Sequence, residues 1–211
     1  WLQSGATQTL SVGGGSAQLT GPLPGTARLN WLPAQWSQQQ RPSAKTANPK
    51  VLWHSQGSIN QLPLAWLDAI SGKSMADLGL SSDLILAGNW DAKFTDMLHL
   101  NAMLERSSGD LRLSTDASQK QLLPARMQEA RLNINLDGEQ LSSSLRWDSV
   151  RAGKALLAFS TQLQTSQGLA WAVDAPLGGS LQMQMPPMDA WSALAPPGWR
   201  LRGTLDANAT L

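Results

Sequence analysis

Apolar and polar residues alternate along most of this chain, and that alternation limits the fold more than any other feature. It is clearest in the last stretch, Trp199 to Leu211. There Trp199, Leu201, Gly203, Leu205, Ala207, Ala209 and Leu211 share one parity, and Arg200, Arg202, Thr204, Asp206, Asn208 and Thr210 the other. A period of two puts successive side chains on opposite faces, as in a half-buried strand. At about 3.3 Å per residue the stretch predicts a strand of roughly 40 Å, about twice the usual length. One face of it is dry throughout, and what covers that face becomes the functional question.

The same pattern recurs from Leu84 onward. Leu98, Leu100, Ala102 and Leu104 share a parity, followed by Leu111 and Leu113, then Ala130, Leu132, Ile134 and Leu136. Leu141 to Trp147, Ala155 to Leu163, Leu169 to Ala175 and Leu177 to Met185 continue it. Turn signals separate the runs, with Asp137-Gly138 the sharpest hairpin cue. Short connections imply antiparallel neighbours, so residues 84–211 read as a regular strand meander. A flat sheet with one apolar face must pair with a second sheet, close into a barrel or curl into a trough. Small residues on the apolar parity (Gly88, Ala102, Ser143, Gly179, Gly203, Ala207) leave room beside that face and favour the trough.

The first third is less regular. Gly13–Gly15 and Gly21–Gly25 punctuate short strand-like pieces at Thr9–Val12 and Ala17–Thr20, and Thr26 to Leu32 reads as another strand. Residues 33–50 read as a loop around Pro42 and Pro49, and Val51 to Ile59 alternates. Residues 62–80 read as a short helical insertion. Pro63 would open a helix over 63–71, Leu64, Trp66, Leu67 and Ile70 would share one face, and Gly72 would end it. Met75 to Leu80 and Ala190 to Leu194 suggest further helical turns. The expected fold is all-β: one long, mostly antiparallel curled sheet over residues 1–211 forming an open apolar groove, with one short helix. The missing initiator Met and the patterned ends suggest a piece of a longer polypeptide.

Composition narrows the function. The net charge of +1 gives no electrostatic case for nucleic acid. No Cys is present, so disulfides and thiol chemistry are excluded; this suits a reducing compartment or an exported bacterial protein without bridges. No apolar run approaches the ~18 residues of a membrane helix. The chain holds 10 Trp against 2 Phe and no Tyr. Trp combines a large apolar area with one donor and suits a broad half-open apolar surface, although drift in a GC-rich genome would give the same bias.

No catalytic, metal or cofactor constellation stands out. Gly72-Lys73-Ser74 resembles the end of a phosphate-binding loop, but Leu67 occupies the position of its first glycine. His54 and His99 lack metal-ligand spacing and read as solvated strand residues. There is no nucleophile elbow, and the carboxylates are scattered on the polar parity or in turns. Asn208-Ala209-Thr210 fits a glycosylation sequon by chance, mid-strand. Arg146, Arg151, Arg200 and Arg202 read as a wet strand face.

Several stretches resemble a known family. PPGWRLRGTLDANATL, preceded by MDAWSALA, together with ARLNINLDGEQLSSSLRWDSVRAGKALLAFSTQL and LERSSGDLRL, is similar to the TamB family of translocation and assembly module proteins, within the AsmA-like and bridge-like lipid-transfer group. The resemblance covers most of Leu84 to Leu211 and rests on strand-and-turn motifs in order. It implies an interior segment of a protein held in the inner membrane by an N-terminal helix absent here and crossing the periplasm of Gram-negative bacteria. It also implies a sheet curled into an apolar trough, the β-taco, that carries phospholipids toward the outer membrane. The partners it implies are phospholipid acyl chains and a TamA-type outer-membrane barrel, with no enzyme activity, cofactor or nucleic acid. On the strand parity, acyl chains would lie against Leu132, Ile134, Leu136, Leu145, Trp147, Leu157, Phe159, Trp171, Val173, Leu201 and Leu205. The competing readings are a scaffold for outer-membrane β-barrel or autotransporter assembly, using free strand edges, and a closed structural sandwich.

Overall fold

The computed structural model describes residues 7–21, 23–39, 50–66, 80–114, 122–164, 170–171, 174–186 and 199–211. Among these the chain forms β1 (Thr7–Val12), β2 (Gly15–Thr20), β3 (Thr26–Trp31), β4 (Ala34–Gln39), β5 (Lys50–Pro63), β6 (Leu80–Ser82), β7 (Ile85–Phe94) and β8 (Leu98–Ser108). It continues through β9 (Leu111–Ser114), β10 (Leu122–Pro124), β11 (Met127–Asp137), β12 (Gln140–Ser149), β13 (Gly153–Gln164), β14 (Ala170–Trp171), β15 (Gly178–Met185) and β16 (Leu205–Thr210). The protein is all-β. One 13-stranded antiparallel sheet runs in the order β1-β4-β5-β7-β8-β11-β12-β13-β15-β16, and it is curled but not closed. A small second sheet has the order β10-β9-β6.

The register explains the order. Residues 7–20 and 26–39 form one long hairpin in a single register, interrupted at Gly13–Gly14 and Leu32–Pro33. The 14-residue β5 pairs with both β3 and β4, and its register slips by one residue between them. That slip lies at Leu32–Pro33, where proline withholds a ladder donor and the Leu32 amide reaches the Gln56 carbonyl at 2.9 Å. At the β11–β12 turn glycine is needed: Gly138 has φ +64° at the first position of its two-residue loop, as a II′ hairpin requires.

Several expectations are corrected. Ala34–Gln39, placed in the 33–50 loop, is strand β4, because pairing on both sides outweighs its glutamine-rich composition; 40–49 lies outside the described residues. Pro63 closes β5 and does not open a helix; only Trp66 is helical, and 67–71 lies outside the described residues, as do 75–79 and 190–194. Leu80 begins β6, and Leu111 and Leu113 belong to the small sheet, not to the meander. The 40 Å terminal strand is also corrected: β16 covers only Leu205–Thr210. Its partner β15 ends at Met185 before Pro186, so residues 199–204 have no strand to pair with among the described residues, and Gly203 turns there with φ +101°.

A cluster of the most buried residues sits at one margin of the sheet. Leu84, Leu111, Ala125, Met127 and Ala152 form a cluster where the small sheet and the β12–β13 turn fold over the ends of the long strands, with Ala130 and Trp147 packed against it. Asp110 ties this corner together. Its carboxylate accepts the amides of Leu111, Arg126 and Met127, each at 2.9 Å. Asp83 accepts the Asp110 amide at 2.6 Å and pairs with Arg112. The buried Ser149 hydroxyl is fully used: it donates to the Ala125 carbonyl at 2.6 Å and accepts the Ala152 amide at 2.9 Å.

Candidate functional site

Register turns the separate alternations into rows that cross the sheet. Leu104, Leu132, Leu145, Leu157 and Leu181 stand side by side on five consecutive strands. The row continues through Gly88, Ile59 and Leu29 to Ala17 at one edge, and to Ala209 at the other. Neighbouring strands lie about 4.8 Å apart, so this ten-strand row is roughly 45 Å long. A second row beside it includes Trp31, Gly57, Trp90, Ala102, Ile134 and Phe159.

Burial across this face is inverted relative to a packed sandwich. The buried side chains lie at its margins: Leu86 and Met127 on one side, and Ala92, Leu136 and Thr161 on the other. The two middle rows from β8 to β15 are only half-buried, and Leu157 is 41% exposed. In a two-layer sandwich the middle of the inner face is its driest part. Here the middle of the apolar face from β8 to β15 is half-open, and the buried side chains are confined to parts of its margins.

Three tryptophans pave the β2–β7 part in one repeated way. The Trp31 ring lies over Gly15, Trp90 over Gly57 and Trp66 over Gly21, so that a Cβ at any of these glycines would enter the indole. Each indole N–H is satisfied locally: Trp31 by the Gly13 carbonyl at 2.9 Å, Trp90 by Ser55 Oγ at 3.1 Å and Trp66 by the Leu23 carbonyl at 3.2 Å. These rings therefore offer area without an unmet donor.

The expected lining residues fall into four groups. Leu132, Leu145, Leu157, Ile134 and Phe159 share the open rows. Leu136 is on the same face but buried in the margin, Trp147 packs into the corner cluster, and Leu205 faces Met185 across the β15–β16 pair. Leu201 lies outside any strand, and Trp171 sits on β14, which pairs only with the end of β13 off the main order. Val173 lies outside the described residues. Leu29, Ile59, Leu104 and Leu181 complete the row and were not singled out; their parity was visible, but their common register was not.

The other face is polar. A depression of about 670 Å³ there is lined by Asn101, Asn133, Asn135, Ser142, Ser144 and their neighbours, and no charged side chain lines it. His54 and Lys93 pair with Asp91, and His99 with Asp137. The Gln56 amide donates to Asp91 at 2.7 Å and, with His54 and Lys93, holds that carboxyl below its ordinary range. Among the described residues no three His, Asp or Glu side chains gather as a metal site. Comparison with protein-family models, curated proteins and solved structures returns no match to this chain.

Proposed function

We propose that this chain is a segment of a lipid-carrying β-groove of the TamB type, spanning the periplasm between inner and outer membranes and holding phospholipid acyl chains against its apolar rows. The observation that supports this most directly is the burial pattern: buried side chains at the margins with a half-exposed leucine row between them. Each methylene removed from water is worth about 0.8 kcal/mol, so an acyl chain is held by area alone. Leucines at a repeat of about 4.8 Å let it advance from strand to strand without losing that contact. No catalysis is needed.

Leu157 and Leu156 test the reading as a matched pair. They are adjacent, identical and similarly exposed, at 41% and 44%, but face opposite sides of β13. A photoreactive residue at 157 is expected to crosslink phospholipid in cells, and one at 156 is not. Equal lipid capture at both, or none at 157, would overturn the reading.

A second reading, strand addition to an unfolded barrel client alongside a TamA-type partner, is favoured by the sheet edges. Residues 7–20 of the β1–β2 edge contain no charge and no proline. Natural edges are usually blunted by such residues. Protein rather than lipid crosslinks from position 208 on β16 would favour it.

A further inference from the structure

Arg106 is the one charged side chain on the strand positions of the apolar face among the described residues. It pairs with Leu86 across β7 and β8, two positions along the strand from Leu104 of the leucine row, and it is part-buried. Its Nε and Nη2 both donate to the Gly109 carbonyl, at 3.0 and 2.9 Å. A guanidinium has five N–H donors, so three remain unbonded among the described residues.

No carboxylate pairs with Arg106 among the described residues, and those near it in the chain are committed elsewhere. Glu105 points to the polar face and takes two bonds from Arg131, at 3.1 and 2.6 Å. Asp83 holds Arg112 and the Asp110 amide, and Asp110 holds three backbone amides. A part-buried cation without a counter-ion is costly unless an anion completes it.

The wider field agrees in sign. Arg28, Arg112, Arg126, Arg131, Arg146, Arg151 and Lys154 lie, like Arg106, toward the margin with the small sheet, and outnumber the carboxylates at that end, Asp83, Glu105, Asp110, Glu129, Asp148 and Asp206. The opposite strand ends and turns carry Asp91, Asp96, Asp137 and Glu139 against Lys93. An anion beside the groove is therefore favoured at the Arg106 margin.

We propose that Arg106 is the head-group anchor of the groove: its free N–H donors bind the phosphate oxyanion of an acyl-bearing ligand whose tail lies on the leucine row. This rests on the lipid reading and adds to it a ligand class, an anionic lipid, and an orientation. A positive charge bearing N–H donors holds phosphate oxygens, whereas the acidic margin repels them.

The test compares ligands that share one tail. Decyl phosphate, decanol and inorganic phosphate are titrated into the chain, with binding followed by tryptophan fluorescence. Decyl phosphate is expected to bind at least 10-fold more tightly than decanol. Arg106→Gln abolishes this preference while leaving decanol affinity within twofold, which also verifies the fold. Arg106→Lys, which keeps the charge, retains the preference, and so does Arg131→Gln on the polar face. Inorganic phosphate does not displace decyl phosphate. Equal affinities in the parent chain, a preference that survives Arg106→Gln or is lost in Arg106→Lys, or displacement by inorganic phosphate would each overturn the anchor. Binding of neither decyl ligand by the parent chain would instead remove the lipid reading beneath it.

Discussion

Replacing Gly57 by alanine tests whether the indole-on-glycine contacts hold the β3–β5–β7 part of the sheet together. A Cβ at Gly57 would overlap Cζ2 and Cη2 of Trp90 and come within 2.5 Å of the Asn30 carbonyl oxygen. Trp90 must therefore swing away. Overpacking of this kind costs about 2 kcal/mol. Losing the indole bond to Ser55 adds about 1 kcal/mol. Restricting the unfolded chain returns about 0.5–1 kcal/mol, leaving a net loss of about 2 kcal/mol. Gly13 is the control, because a Cβ there meets nothing within 4 Å and its φ is not positive; alanine there should be neutral or slightly stabilising. In urea unfolding followed by tryptophan fluorescence, Gly57→Ala should lower the midpoint by about 1 M for an m-value near 2 kcal/mol/M. In a Trp90→Leu background its cost should fall by at least about 1 kcal/mol, the coupling expected of touching residues. A loss below about 0.5 kcal/mol, or a cost unchanged without the indole, would refute the reasoning.

Two further outcomes concern the buried corner at one margin. Asp110→Ala strands three backbone amides, two of them part-buried, and should cost about 3 kcal/mol in chemical denaturation; Asp110→Asn, which keeps one acceptor oxygen, should cost about half. Asp83 is held below its ordinary value of 3.8, mainly by the Asp110 amide and then by Arg112. A carboxyl depressed in the folded state contributes stability that is fully present above its unfolded pKa and is lost as pH falls through the lower folded value. Stability measured from pH 5 to 2 should therefore fall less steeply below about pH 4 in Asp83→Asn than in the parent chain, and parallel curves would count against the Asp83 bond.

Much of the fold was legible because strand periodicity is a local property. The alternation of Leu132-Ile134-Leu136 against Arg131, Asn133 and Asn135 requires a strand with one dry face, and β11 has it. The same reasoning failed where a partner was decisive. Residues 199–204 alternate as regularly as 205–210, but the β15–β16 ladder ends at Met185 and Leu205, just before Pro186, and the alternation continues without it. Ala34–Gln39 has the composition of a loop, but lies between β1 and β5 and completes both ladders.

The sequence by itself determined most of the strands, their parity and the absence of charge from most of the dry face, because each depends on residues two apart. Only the tertiary structure decided the register that sets Leu104, Leu132, Leu145, Leu157 and Leu181 in one row. It also decided which parts of that face the small sheet covers and which stay half-open, and that Arg106 stands on the apolar face with no carboxylate partner among the described residues. Those features arise between strands up to tens of residues apart, where hydrogen-bond ladders and packing, and not local pattern, choose the neighbours.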